Sequence, residues 1–186
     1  MNAQIDVLNA QEIRQLIETQ QLITGYIDLE KQLQPSGFDL SLGGVEEYLG
    51  NGSVDFTNEE RRIAETKLLR PNSAGWYMLP QGCYLLVYNE TIKMPLDLVA
   101  LARTRSTVLR NGASVETAVW DPGYHGQSSS LLVVHNPWGI KLKVNARVAQ
   151  LVFFRVGEVE VGYSGVYQHE RVKSEQGDRE KKVGTL

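Results

Sequence analysis

The chain has 186 residues, which suits one domain that is large enough to bury its own core. Its 19 basic and 22 acidic residues give a net charge of −3, so overall charge does not favour binding to nucleic acid or to a membrane surface. The single cysteine, Cys83, excludes an internal disulfide bond, and the lack of a signal peptide or long apolar run predicts a cytoplasmic protein.

The N-terminal segment is predicted to form one short helix. Asn9 and Glu12 have the spacing of a capping box, in which two side chains bond the free backbone N–H groups at the start of a helix. Ile13 and Ile17 follow at helical spacing and define an apolar face. We expect this amphipathic helix to end near Gly25.

Two further segments precede the main run of strands. QPSG at 34–37 is typical of a loop, and FDLSLGG at 38–44 alternates as a strand does. The stretch 51–72 is polar, contains EERR and has few apolar residues. It predicts an irregular excursion or a lid.

From residue 75 onward the chain contains short β-rich runs separated by turn signals. This spacing, with no interleaved helix, predicts an antiparallel barrel or a double-sheet jelly roll, so the fold class is mainly β. Residues 1–168 are expected to form a single domain, and the charged segment 169–186 a mobile tail. The runs are WYML, CYLLVYNETIKM, LVALART, SLLVVHN, KLKV and RVAQLVFFRV.

ARTRSTVLRNG at 102–112 is the best candidate for binding phosphate. Arg105 and Arg110 lie on either side of the hydroxyl of Ser106, and arginine captures phosphate with two parallel hydrogen bonds. A strand with its arginines on a solvated face explains this segment equally well. The three histidines, His125, His135 and His169, show no metal-ligand spacing.

The second candidate is WDPGYHG at 120–126. Asp121 precedes a Pro-Gly turn that would hold its carboxylate exposed and rigid, so that it can accept a proton from water. Tyr124 offers a flat ring to a sugar or a base. An ordinary turn with a packed tyrosine is the alternative. Gln150, in a strand of apolar residues, and GYSGVYQ at 162–168 are weaker candidates.

Taken in order along the chain, four motifs resemble those of the superfamily of trimeric dUTPases and dCTP deaminases. They are QPSGFDLSLG, RSTVLRNG, WDPGYHG and ARVAQLVFF, and the resemblance extends from about residue 11 to residue 168. The N-terminal helix followed by QPSGFDLSLG resembles the deaminase-like branch, which includes dUTPases of archaeal style. The resemblance implies a distorted β jelly roll and a homotrimer with active sites at its subunit interfaces.

The strand after WDPGYHG separates the two activities of the superfamily. The deaminases carry a proton-transferring glutamate three residues before the asparagine that ends this strand. Counted from Asn136, that position is Val133, and valine cannot transfer a proton. The resemblance therefore implies hydrolysis of dUTP to dUMP and diphosphate, with Asp121 activating the attacking water and Mg²⁺ held by substrate phosphates and water.

The resemblance also implies the contacts with the substrate. Ser106, Arg105 and Gln150 would contact phosphates, and Arg110 would contact them or support the site from behind. Tyr124 would lie against the sugar and exclude a 2′-hydroxyl, and Tyr163 belongs to a short closing segment. The base would be recognised by backbone groups of 113–119.

Three alternatives stay open. The hairpin at WDPGYHG is displaced by two residues from the usual deaminase spacing, which makes Glu116 a second candidate acid. dCTP deamination, alone or coupled to dUTP hydrolysis, is the alternative activity. A nucleotide-binding regulator without turnover is the third, and the presence of Asp121 argues against it.

Overall fold

The computed structural model describes residues 6–172. The helices are α1 (Ala10–Gln20), α2 (Leu29–Gln32) and α3 (Ser106–Arg110). The strands, in chain order, are β1 (Ile23–Thr24), β2 (Leu33–Gln34), β3 (Gly37–Tyr48), β4 (Thr66–Leu68), β5 (Trp76–Leu79), β6 (Gly82–Tyr88), β7 (Thr91–Lys93), β8 (Leu98–Thr104), β9 (Ala113–Glu116), β10 (His125–Gly126), β11 (Ser129–Val134), β12 (Ile140–Lys143) and β13 (Arg147–Arg155).

Helix α1 begins as predicted and ends earlier than predicted. The Asn9 side chain accepts hydrogen bonds from the backbone of Gln11 and Glu12, and the Glu12 side chain accepts one from the Asn9 N–H, which completes the capping box. The helix ends at Gln20, and Gln21 after it takes the left-handed conformation with φ of 58°. The expected end near Gly25 is wrong because the chain has already entered β1 by then.

The main sheet is antiparallel and curls into a barrel. Its strands follow the order β8-β13-β3-β6-β11-β9, with β2 and β4 pairing along β3. Thr104 joins the two ends of this order, since its hydroxyl donates to the carbonyl of Val115 and accepts from the Val115 N–H. Ala100 and Trp120 exchange two further backbone bonds of 3.0 Å. The mainly β fold is confirmed.

Two small sheets flank the barrel, β1-β7-β10 and β5-β12. The core lies inside the barrel and beneath α1, and buried residues alternate with more exposed ones along strands such as β11 and β12. Residues 37–42 of β3 are buried throughout, because the strand lies at the centre of the main sheet. The largest fully buried apolar side chains are Tyr88, Phe38, Phe153, Leu8, Ile13, Leu22, Ile23, Leu40, Leu42, Leu86, Ile92 and Leu98.

The structure corrects the expectation that no helix interrupts the strands after residue 75. Helix α3 lies between β8 and β9 and buries Val108. Gly112 ends it with φ of 74°, and a Cβ there would lie 2.9 Å from the Cβ of Asn136, so the tight turn needs glycine. One helical turn lets the chain reverse before β9 pairs with β11.

The polar stretch 51–72 is largely irregular, as predicted. It contains an isolated bridge between Ser53 and Arg62 and the short strand β4. Phe56 and Val54 are exposed within it. Within residues 6–172, no helix is long and apolar enough to cross a membrane.

Candidate active site

A buried carboxylate holds two arginines at one end of the barrel. Asp39 on β3 is only 1% exposed, and its Oδ2 lies 3.1 Å from Arg105 Nε and 3.1 Å from Arg147 Nη1. Burial raises the pKa of Asp39, and the charges of Arg105 and Arg147 oppose that rise. Both guanidinium groups are partly exposed, so each can be fixed by Asp39 and still meet an anion.

Gln150 belongs to this cluster. It lies on β13 opposite Asp39 on one side and Arg103 on the other. A Cβ on Gly37 would lie 2.9 Å from the Gln150 amide nitrogen, so glycine at 37 leaves room for the glutamine side chain. The predicted phosphate ligands Arg105 and Gln150 therefore contact the same short part of β3.

Helix α3 presents the other predicted phosphate contacts to solvent. Ser106 is its first residue and Arg110 its last, and both are exposed. The helix borders a groove of about 990 Å³ that also reaches Arg105 and Arg147. Trp138, 95% exposed, also lines the groove.

The WDPGYHG turn forms a second group of side chains. Asp121 is exposed, and its carbonyl accepts a 3.1 Å hydrogen bond from the Tyr124 N–H, which closes the turn. Gly123 has φ of 82°, and a Cβ there would lie 2.8 Å from the backbone of Gly162. The turn therefore requires glycine both for its conformation and for its contact with the C-terminal segment.

The C-terminal segment, residues 161–172, folds back over this turn. The Tyr163 N–H donates to the carbonyl of Pro122 at 2.8 Å, and the Tyr163 ring meets the Tyr124 ring edge to face at 5.7 Å. Tyr124 is only 6% exposed, and its hydroxyl donates to Glu170. Tyr163 is the more accessible of the two rings.

Residues 168–172 continue the contact. The Gln168 side chain accepts from the His125 N–H and donates to the Gly123 carbonyl, and the His169 N–H donates to the His125 carbonyl. The segment predicted as a mobile tail thus begins with ordered contacts at 169–172. The remainder of that predicted tail, 173–186, lies outside the described residues.

Glu116, the alternative acid, lies in a separate row of polar side chains on the outer face of the sheet. Ser114 Oγ donates to Glu116 at 3.0 Å and lies 3.1 Å from His135 Nε2. Val133 pairs with Ser114 in the register of β11 and β9 and is partly exposed. Val133 therefore presents an apolar side chain to the outer face of the sheet.

One subunit does not bring the two groups of predicted residues together. Ala100 pairs with Trp120, so Asp121 lies beside one end of β8, whereas Arg105 follows the opposite end. Five residues of extended chain span about 16 Å. Asp121 and Arg105 are therefore too far apart to contact one phosphate group within a single chain.

Two residues that sequence reasoning missed also belong to these groups. Asp39 stands in the quoted motif QPSGFDLSLG, where a charged residue in an otherwise apolar strand was a usable signal. Glu170 stands in a charged tail and gave no such signal. Only the fold places it against Tyr124.

Within residues 6–172, no group of three or more His, Cys, Asp or Glu side chains is arranged to hold a metal ion. Asp121 is a single exposed carboxylate, and the other candidate phosphate ligands are arginines, the Ser106 hydroxyl and the Gln150 amide. This donor set suits an ion that arrives with its own phosphate and water ligands.

Comparison with known proteins places these features in a family. The model of the dCTP deaminase-like family matches residues 7–156. A protein of Methanosarcina barkeri named probable deoxyuridine 5′-triphosphate nucleotidohydrolase is 47% identical over 169 residues, covering 90% of this chain and 99% of that protein. A protein of the same name from Archaeoglobus fulgidus is 47% identical over 168 residues, with 90% and 99% covered.

A solved structure supports the fold. The crystal structure of 2′-deoxycytidine 5′-triphosphate deaminase from Agrobacterium tumefaciens matches with a TM-score of 0.63 and 20% sequence identity. The match covers 82% of this chain and 48% of that chain. It confirms the architecture expected from the motifs.

Proposed function

The chain belongs to the dCTP deaminase-like family, and two relatives at 47% identity are named probable deoxyuridine 5′-triphosphate nucleotidohydrolases, so we propose that it hydrolyses dUTP to dUMP and diphosphate. The single observation that carries this choice within the family is Val133. A deaminating site needs an acid on that strand, and the outward position holds an apolar side chain.

The arginine cluster binds the phosphates in this proposal. Arg105, held by Asp39, offers its remaining N–H groups to phosphate oxygens, and Gln150 and Ser106 donate further hydrogen bonds. Arg110 contacts a phosphate or supports α3 from behind. Charge accumulates on the phosphate oxygens during the reaction, so fixed cations lower the barrier by neutralising it.

Asp121 activates the nucleophile. Its exposed carboxylate takes a proton from water, and the water oxygen forms a bond to the α-phosphorus. The bond between that phosphorus and the oxygen bridging to the β-phosphate breaks, and diphosphate leaves with the electron pair. The closed turn holds Asp121 in place while this happens.

The paired rings of Tyr124 and Tyr163 form the wall against the sugar. A ring held against C2′ leaves no room for a 2′-hydroxyl, which selects deoxyribose. Backbone groups of 113–119 recognise the uracil edge. In this proposal the substrate enters as the complex of dUTP with Mg²⁺, an ion that keeps several of its waters and binds through substrate phosphates.

A complete site in this proposal forms between subunits of a homotrimer. The extended chain from Ala100, which pairs with Trp120, to Arg105 spans about 16 Å and keeps Asp121 of one chain away from its own Arg105. A neighbouring chain that docks on the open groove beside α3 supplies its own Asp121 to the site. The exposed Trp138 on that groove fits an apolar contact with a neighbouring chain.

The test is one incubation of purified protein with Mg²⁺ and either dUTP or dCTP. We expect diphosphate release from dUTP and no ammonia from dCTP above the uncatalysed blank. Asp121→Asn keeps the shape of the side chain without its basicity, so turnover should fall by about a hundredfold or more while nucleotide binding persists.

The control is Glu116→Gln, which removes the alternative acid. If Asp121→Asn keeps full dUTP turnover and Glu116→Gln loses it, then Glu116 activates the attacking water and Asp121 does not. Robust ammonia release from dCTP by the unmodified protein would show that it also deaminates dCTP.

A further inference from the structure

Glu170 occupies a position that neither phosphate binding nor water activation uses. Its carboxylate accepts a 3.0 Å hydrogen bond from the Tyr124 hydroxyl, and its backbone carbonyl accepts one from the Gln127 N–H at 3.0 Å. Burial raises the pKa of Glu170, while the bond from Tyr124 and the charge of Arg171 oppose that rise. The side chain is thus tied to the turn that carries Asp121.

The surroundings leave the Tyr124 hydroxyl little room to move. A Cβ on Gly126 would collide with that hydroxyl and would lie 3.1 Å from Glu170 Cγ. The second glycine of WDPGYHG therefore allows the close approach of Tyr124 and Glu170. Tyr163 meets the ring of Tyr124 from another side, with its plane rotated by 70°.

We propose that Glu170 is a positioning residue for sugar selection, acting through the hydroxyl of Tyr124. The inference rests on the proposed function, in which the tyrosine pair contacts the deoxyribose. A ring excludes a 2′-hydroxyl only if its position is fixed, since a site that is loose by about 1 Å loses its selectivity. Glu170 at the hydroxyl and Tyr163 at the ring together prevent that displacement.

A purely structural role for Glu170 predicts a different result. Loosening the C-terminal segment would lower affinity for deoxynucleotides and ribonucleotides alike, and their ratio would stay the same. A positioning role lowers the ratio, because the site then admits ribose. The ratio therefore separates the two roles even when stability also falls.

The experiment measures selectivity in two independent ways. One is the ratio of kcat/KM for dUTP to that for UTP, and the other is the ratio of affinities for dUDP and UDP by calorimetry. The variants are Glu170→Ala, Glu170→Gln and Tyr124→Phe, with Glu160→Ala as the control because Glu160 is an exposed acid in the same part of the chain.

We expect both ratios to fall about tenfold or more in Glu170→Ala and in Tyr124→Phe, and to stay near the wild-type value in Glu160→Ala. Glu170→Gln should retain most selectivity, because its amide oxygen still accepts the hydroxyl hydrogen bond. The double variant Glu170→Ala/Tyr124→Phe should be no worse than either single variant, since both break the same contact.

Ratios unchanged within about twofold in Glu170→Ala would overturn the inference. A wild-type protein that does not hydrolyse dUTP would overturn the proposed function instead. The calorimetric ratio would still decide the role of Glu170 in that case, because it does not depend on turnover.

Discussion

At the scale of single residues, Asp39 decides where Arg105 points. A buried carboxylate between two partly exposed arginines fixes their orientation and neutralises part of their charge. Asp39→Asn keeps the shape but removes the charge, so we expect a destabilisation of about 1–3 kcal/mol in the free energy of unfolding. The KM for dUTP should rise about tenfold, with a smaller change in kcat, because the loss affects phosphate positioning.

Thermal melting and steady-state kinetics check both parts of this prediction. Asp97→Asn is the matched control, since it removes the same charge from the turn before β8, away from the arginine pair. Equal KM and kcat values in the two variants would show that Asp39 contributes to stability and not to phosphate positioning.

At the scale of elements, Glu90 joins α2 and β3 to the turn between β6 and β7. It is fully buried and accepts three hydrogen bonds, two from Ser41 and one from the Gln32 amide, which also bonds the carbonyl of Asp39. Glu90→Ala leaves these donors unpaired in the interior, so we expect a loss of about 3 kcal/mol or more in the free energy of unfolding. Glu47→Ala, on the partly exposed end of β3, should cost about 0.5 kcal/mol. Chemical denaturation measures both, and equal costs would contradict the assignment.

The pH dependence of stability gives a second test of Glu90. Burial raises its pKa above the ordinary value of 4.5, so just above that value the folded chain keeps a proton that the unfolded chain has lost. The contribution of Glu90 to stability is therefore full at lower pH and falls as the pH rises from 4.5 through the raised pKa. Glu90→Gln cannot titrate, and its free energy of unfolding should decline less steeply over that interval. Parallel curves for wild type and variant would contradict this.

At the scale of the whole molecule, the separation of Asp121 from Arg105 predicts complementation between inactive chains. Asp121→Asn and Arg105→Ala should each be nearly inactive alone. When the two are co-expressed with different tags and purified through both, the proposed homotrimer predicts that every mixed trimer contains one interface with a complete site. Such trimers should show about one third of wild-type activity. Sedimentation checks that they are trimers, and melting curves check that each variant folds. If no activity is recovered, either the two residues act within one chain or one of them does not belong to the site.

The sequence by itself determined the features that depend on local spacing. Asn9 and Glu12 specify the capping box, alternation specifies the strands, and Pro122 with Gly123 specifies the turn that exposes Asp121. It did not determine the end of α1 or the presence of α3, because a left-handed Gln21 and a one-turn reversal depend on how neighbouring strands pair.

Only the tertiary structure decided which charges meet. Asp39 and Arg105 are 66 positions apart along the chain, and Tyr124 and Glu170 are separated by 46, so no local pattern relates them. The order of strands in the barrel brings Asp39 to Arg105, and the return of the C-terminal segment brings Glu170 to Tyr124. Burial then makes these contacts strong, since a charged or polar group removed from water needs a partner within reach.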